Sequence, residues 1–273
     1  MGRKRKKILL ENVHVSDAGA KGKAITRLAN GLVLFVEGAV PGDVCDVLVH
    51  KKRRSFLEGK PVKFHSFSEK RRKAKCEHFG LCGGCKWQFM SYEHQLELKQ
   101  KEVVDSLIRI GGIDLPEVNH IIGCENEFRY RNKMDFAFTN RRWITKQESA
   151  EGKEIFQRNG AGFRVSGFWD KVINLNECHL QAEPSNAIRK AARDYAIENE
   201  LDFFDIANKE GFLRALTIRM SSTGEIMVLF QFFYEDESKR LGLLNYIKEQ
   251  FPEITSLLYT INNKGNETIF DLD

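Results

Sequence analysis

Residues 31–50 read Gly31-Leu-Val-Leu-Phe-Val-Glu-Gly-Ala-Val-Pro41-Gly-Asp-Val-Cys45-Asp-Val-Leu-Val-His50. Leu32, Leu34 and Val36 recur at every second position, the period that turns one face of a strand toward a core. Pro41-Gly42 is a turn signal, and residues 43–50 open a second alternating run. The stretches 12–15, 22–28 and 57–64 have the same character, with glycines between them. Five strands this short, in so brief a segment, predict a small closed β-barrel over residues 1–68. Cys45 falls inside an alternating run and reads as a small core residue.

Charge gives the barrel a partner class. Over residues 1–75 there are 19 Lys+Arg against 7 Asp+Glu, whereas the remainder holds 24 against 31. Three basic runs, 3–7, 51–54 and 70–75, account for most of the excess. A segment this basic points to a polyanion, nucleic acid by default. The barrel is similar to the oligonucleotide-binding type, with Lys51, Lys52, Arg53 and Arg54 lining one rim. The chain has 273 residues and six cysteines. No apolar run is long enough to span a bilayer, and none precedes the cysteines that could act as a secretory signal, so a cytoplasmic protein without disulfides and without a membrane partner is expected.

Beyond the barrel, Cys76-Glu-His-Phe-Gly-Leu-Cys82-Gly-Gly-Cys85 places three thiols in one loop, and Cys178 follows far downstream. A C-x5-C-x2-C run with one distant cysteine is the layout of a four-thiolate metal site. Gly83-Gly84 lets two ligands so close in sequence turn inward together. Four thiolates suit an iron–sulfur cluster or tetrahedral zinc. His78 and His179 adjoin this set and read as packing around it.

The remainder, residues 69–273, predicts an α+β domain stapled by the cysteines. Ser91 as N-cap, Glu93 in the first turn and a stripe of Leu96, Val103, Leu107 and Ile110 predict a helix with a core face, stopped by Gly111-Gly112. Strands follow over 128–138 and 154–165, flanking a polar loop. A helix is expected over 184–200, a hairpin over 212–220 and 225–234, a helix over 237–251 and a strand over 254–261. Alternation along 128–138 would send Arg129, Arg131 and Lys133 to one face roughly 7 Å apart, matching phosphates along a nucleic-acid backbone; Arg214 and Arg219 are further candidates. Gly160-Ala161-Gly162 leads into a strand-like run and so is no nucleotide loop. Cys124 has no evident base beside it.

Taken together these motifs resemble a known family. Gly22-Lys-Ala-Ile-Thr-Arg27, residues 33–44 and Lys51-Lys52 are similar to the TRAM RNA-binding domain. The cysteine pattern, Tyr130-Arg-Asn-Lys133, Gly162-Phe-Arg164 and Leu213-Arg-Ala-Leu-Thr-Ile-Arg219 occur in that order in the TRAM-containing RNA uracil-5-methyltransferases, which make 5-methyluridine in ribosomal RNA. The resemblance implies that Cys76, Cys82, Cys85 and Cys178 hold a [4Fe-4S] cluster of structural role, and that the partner is RNA, ribosomal RNA above all, bound by a monomer. In that family a cysteine adds to carbon 6 of uracil, carbon 5 takes a methyl group from S-adenosylmethionine, and a glutamate removes its proton. Those residues lie in a C-terminal Rossmann-like domain, which is expected to be absent from this chain. The expectation is therefore an N-terminal, RNA-recognising portion with no catalytic residue and no S-adenosylmethionine site. Two other classes fit parts of the pattern. One is a radical S-adenosylmethionine methylthiotransferase, disfavoured because its loop is C-x3-C-x2-C. The other is a non-enzymatic zinc- or iron–sulfur-stapled RNA-binding module.

Overall fold

The computed structural model describes residues 8–19, 22–151, 157–266 and 268–269. The basic run 3–7 lies outside the described residues, as do 154–156 of the strand expected over 154–165. Two compact units form: Met1–Gly80 with Cys85–Glu125, and Leu81–Gly84 with Asn126–Asp273.

In the first unit, β1 (Ile8–His14), β2 (Asp17–Ala18), β3 (Ala24–Arg27), β4 (Val33–Val36), β5 (Val44–Lys52) and β6 (Phe56–Ser66) make one sheet in the order β1-β5-β6-β4-β3-β2. All neighbours are antiparallel except β4 with β6. β1 and β2 stand at opposite edges of that order, yet only Val15 and Ser16 separate them. The sheet therefore curls until its edges meet, which is the expected barrel with one added two-residue strand. Register shifts along β5 and β6 supply the bending that closure needs. Val13, Ala24, Leu34, Val36, Cys45, Val47 and Leu57 fill the interior. Gly59 sits where β6 crosses close to β5: a Cβ there would lie 2.9 Å from the Leu48 carbonyl oxygen.

The segment after the barrel belongs to the same unit, so the unit does not end at residue 68. Arg71 is the reason. Its Nε donates to Asp43 Oδ1 at 2.8 Å and its terminal nitrogen to Asp43 Oδ2 at 2.7 Å and to the Gly38 carbonyl at 2.8 Å. The guanidinium lies over the rings of Phe64, Phe67 and Phe89. Asp43 is fully buried, and its oxygens also accept from the backbone N–H of Val40 and Ser68.

α1 (Tyr92–Asp105) follows Ser91, widens over Ser106–Ile110, and stops at Gly111-Gly112, where Gly112 takes φ +63°. Its polar side chains attach it: Gln95 donates to the carbonyls of Trp87 and Met90, and Lys101 pairs with Asp17 at 2.8 Å. No residue of α1 is buried. Of the stripe of Leu96, Val103, Leu107 and Ile110, expected to face a core, Leu96 is half-buried and the other three are exposed. Periodicity reports that a face is apolar, not that a neighbour is present to cover it.

The second unit holds a five-stranded sheet in the order β11-β10-β9-β7-β8, made of β7 (Lys133–Thr139), β8 (Gly160–Gly162), β9 (Leu213–Met220), β10 (Ile226–Phe232) and β11 (Ser256–Ile261). β7 and β8 form the expected long hairpin, whose loop carries α2 (Lys146–Ala150). The strand expected over 154–165 is three residues long among the described ones. Gly162 shows why it packs tightly: a Cβ there would meet the Ile173 carbonyl oxygen. β10 and β11 run parallel, joined by α4 (Glu237–Gln250), the crossover that parallel neighbours require. α4 is capped by Asp236, which accepts from the Lys239 N–H. α3 (Ser185–Glu198) lays Ile188, Ala192 and Ala196 on the core beside Phe136, Phe212, Phe230, Leu243 and Ile247. The mixed α+β architecture expected from the sequence is present.

Candidate metal ligands and nucleic-acid surfaces

None of the six cysteines is in a disulfide. Cys76 and Cys85 belong to the first unit, Cys82 and Cys178 to the second. In the first unit the Cys76 N–H donates to Gln88 Oε1 at 3.1 Å, and the Cys76 carbonyl accepts from Phe79 N. Burial pushes the Cys76 thiol up; backbone N–H groups of His78 and Phe79 oppose this, and the charge of Cys85 adds to it.

In the second unit, residues 81–84 are laced to the strand-like run after β8. Gly83 N donates to Arg164 O at 3.0 Å, Ser166 N to Leu81 O at 2.9 Å, and Cys82 bridges Val165. A Cβ on Gly83 would press on Arg164 O at 3.1 Å, so the glycine is needed for close approach. Gly84 N–H points at Cys82 Sγ at 3.4 Å, a contact that stabilises a thiolate. Cys178 is held by Asn186, whose Oδ1 accepts from Cys178 N at 2.8 Å and whose Nδ2 donates to Cys178 O at 3.1 Å. Cys82 and Cys178 both pack against the core of this unit.

Beneath Cys178 lies Arg189, fully buried, which sequence reasoning missed. It donates to the carbonyls of Ala161, Leu175 and Asn176 at 3.2, 2.8 and 3.2 Å, tying the segment that runs into Cys178 to β8. Burial lowers its pKa to about 10; the charge of Arg193 adds to that, and Cys178 opposes it. A signal was present: Arg189 falls on the same helical stripe as Ser185, Ala192 and Ala196, where a charge is out of place. The donor chemistry fits a thiolate-bound metal group. Each of the four thiols is partly exposed, and a backbone N–H is aimed at the Cys82 sulfur. His78 lies beside Glu77 at 3.4 Å, and His179 packs edge-on to Phe128. Cys124 is exposed, and Cys45 is in the barrel core, where burial pushes its thiol up to about 11.

The basic candidates divide. Lys52, Arg53 and Arg54 are exposed at the tip of the β5–β6 hairpin, with the turn closed by Arg53 N donating to Phe56 O. Lys51 pairs with Glu58 at 2.6 Å, which Lys23 also contacts at 2.7 Å; these two partners draw Glu58 down to about 2. Glu37, His50 and Glu58 bring three donor atoms within 4.8 Å of one another, but Lys23, Lys51 and Lys60 already neutralise the carboxylates.

The row of three cations on a strand does not form. β7 begins only at Lys133, and Arg129 takes φ +59°, which breaks the alternation. Arg129 and Arg131 instead donate their backbone N–H to His179 O and Leu180 O, and their side chains engage Glu177 and the Lys133 carbonyl. Lys133 pairs with Asp135 at 3.0 Å and sits opposite exposed Arg219 in the β7–β9 register. Arg214 is no phosphate contact: it is buried and donates to the carbonyls of Asn262, Lys264 and Asn266.

Residues 10–62 match the TRAM domain. A protein of Bacteroides thetaiotaomicron named uncharacterized RNA methyltransferase is 48% identical over 257 residues, covering 93% of this chain and 56% of that protein. Another so named, from Porphyromonas gingivalis, is 44% identical over 264 residues, 95% of this chain and 57% of its own length. The chain thus spans about half the length of these relatives. Among solved structures, Pyrococcus abyssi tRNA (uracil-54, C5)-methyltransferase in complex with S-adenosyl-L-homocysteine shares the fold. Its TM-score is 0.59 at 23% identity, over 92% of this chain and 54% of that one.

Proposed function

We propose that this chain is the RNA-recognising, iron–sulfur portion of an S-adenosylmethionine-dependent RNA uracil-5-methyltransferase, acting on ribosomal RNA. The supporting observation is the similarity that runs along 93% of the chain to a protein named RNA methyltransferase, with a TRAM match at residues 10–62. The fold shared with a tRNA uracil-C5 methyltransferase agrees with it.

In this reading Cys76, Cys82, Cys85 and Cys178 hold a [4Fe-4S] cluster whose role is structural, since methyl transfer to carbon 5 moves no net electron. Asn186 and Arg189 set the backbone of the Cys178 loop, and Gly83 and Gly84 let Cys82 and Cys85 turn toward a common group. The β5–β6 tip, with Lys52, Arg53 and Arg54, grips phosphate; Lys133 and Arg219 offer a second cationic pair. A target uridine leaves its stack before methylation, at a cost of a few kcal/mol that phosphate contacts and stacking offset.

The test is metal analysis of anaerobically purified protein, alone and as Cys82→Ser. About four irons with acid-labile sulfide per chain and a brown absorbance lost in the variant are expected. One zinc per chain without sulfide supports the zinc-stapled RNA-binding alternative instead. Methyl transfer from labelled S-adenosylmethionine to uracil of ribosomal RNA by the whole gene product tests the activity.

A further inference from the structure

The turn that follows β8 holds two aromatic rings out of the core. Phe168 is 47% exposed and Trp169 is 63% exposed. The turn itself is firmly built. Phe168 N donates to Val165 O at 3.1 Å across Gly167, whose φ of +86° suits the third position of a type II turn. The chain entering the turn bonds to the cysteine loop, through Gly83 N to Arg164 O and Ser166 N to Leu81 O. The chain leaving it is tied back by Val165 N, which donates to Lys171 O at 2.9 Å. Trp143 N donates to Val172 O at 2.7 Å, and the Trp143 ring lies 5.2 Å from that of Phe168. Trp169 has no ring partner among the described residues. All these segments belong to the second unit.

The surroundings narrow what these rings can bind. Residues 166–171 read Ser-Gly-Phe-Trp-Asp-Lys, so the rings are not part of a continuous aliphatic patch of the kind that marks a protein or membrane contact. Asp170 is the one carboxylate in that stretch, and it pairs with Lys171 at 3.7 Å, leaving no bare negative charge to repel a phosphate. Arg158 is exposed on the neighbouring chain, where its carbonyl accepts from Arg142 N beside Trp143. Flat rings near a cation, with the local anion compensated, suit unpaired nucleic acid, because every base offers a face to stack.

We propose that Phe168 and Trp169 form a stacking site for unpaired bases of RNA. The site rests on the RNA reading above and adds to the phosphate contacts named there a contact made with the bases themselves. Trp169 is the outer ring and takes the base; Phe168, braced by Trp143, sets the turn that presents it. The bonds from Leu81 and Gly83 hold the turn in place before RNA arrives, so little order remains to be lost on binding.

The experiment measures binding of the 273-residue chain to a single-stranded RNA oligomer of mixed sequence and to the same strand with its bases removed. Trp169→Ala should weaken binding to the RNA by about fivefold or more, the loss of one base stack. It should leave the slope of log K against log salt unchanged, because no phosphate contact is lost. Its melting temperature should stay within about 1 °C of the parent, as expected for an exposed side chain. Trp169→Phe, which keeps a ring, should bind within about threefold of the parent. On the strand without bases, parent and Trp169→Ala should bind equally. Equal RNA affinity of parent and Trp169→Ala overturns the site and leaves the RNA reading standing; so does a variant that loses as much affinity for the strand without bases. A parent chain that binds no RNA overturns the reading of this chain as RNA-recognising, and the site with it. Binding to phosphatidylglycerol vesicles that Trp169→Ala abolishes, with RNA affinity unchanged, assigns the rings to a lipid surface and also overturns the proposal.

Discussion

Removing the Arg71 guanidinium tests the account of the first unit most directly. Arg71→Met keeps most of the apolar stem against Phe64, Phe67 and Phe89 but deletes three charge-assisted hydrogen bonds to Asp43 and one to the Gly38 carbonyl. The Asp43 side chain is 0% exposed and keeps only two backbone N–H donors, from Val40 and Ser68. A buried carboxylate that loses its counter-charge costs about 3–5 kcal/mol, far more than the 0–1 kcal/mol of a surface pair. Amide exchange of peptides from β5 and β6 reads this locally. At about 1.4 kcal/mol per decade, their slowest protons should exchange roughly 10²- to 4×10³-fold faster. Arg71→Lys, which keeps the charge but loses the fork, should fall between. Lys60→Ala, which breaks an exposed pair with Glu37, should change exchange by less than threefold, within the surface range. An Arg71→Met protein that differs from the parent by less than about 1 kcal/mol refutes the reasoning, because Asp43 would then have water or another partner.

Other outcomes follow from the same physics. Glu58 is held at about 2, below its ordinary value of 4.5, so the stability it contributes is present above pH 4.5 and lost as pH falls toward 2; Glu58→Gln should flatten the acid limb of a melting-temperature profile over that window. Arg189→Met leaves the carbonyls of Leu175 and Asn176 without this donor, while Ala161 O keeps the Leu175 N–H, and should destabilise the second unit by about 2 kcal/mol or more in urea unfolding. Replacing Lys52, Arg53 and Arg54 with alanine should weaken binding to single-stranded RNA and reduce the slope of log K against log salt by about 2, at roughly 0.7 per phosphate contact; an unchanged slope removes the hairpin tip from the interface. Arg214→Ala should lower the melting temperature and leave that slope unchanged, since its donors serve the carbonyls of residues 262, 264 and 266.

What the sequence disclosed depended on whether a signal was local. The barrel strands were legible because period-two alternation and Pro41-Gly42 sit within one another's reach, whereas two-residue β2 carries no period at all. The hairpin of β9 and β10 and the helices α3 and α4 were legible for the same reason. Arg129, Arg131 and Lys133 misled because alternation presupposes extended backbone throughout, and a left-handed Arg129 with donors committed to residues 179 and 180 breaks it. Arg214 misled because an arginine in a strand gives no hint that carbonyls far along the chain will bury it. Arg189 left a signal, a charge on the buried stripe of α3, but neither it nor Asn186 could be read as a support of the Cys178 loop, since their partners there are backbone groups that no residue pattern encodes. The apolar stripe of α1 was read correctly as apolar and wrongly as enclosed.

The assignment of Leu81–Gly84 to one unit, between flanks that belong to the other, has a bearing on gene engineering. Neither unit is a contiguous reading frame, so no single junction yields two self-sufficient cassettes. A graft that takes residues 1–125 carries off four residues whose hydrogen-bonding partners, Arg164 and Ser166, stay behind. Recombination between homologues would then succeed only when both parents agree at this tetrapeptide and at its distant acceptors, which ties the two regions into one unit of inheritance.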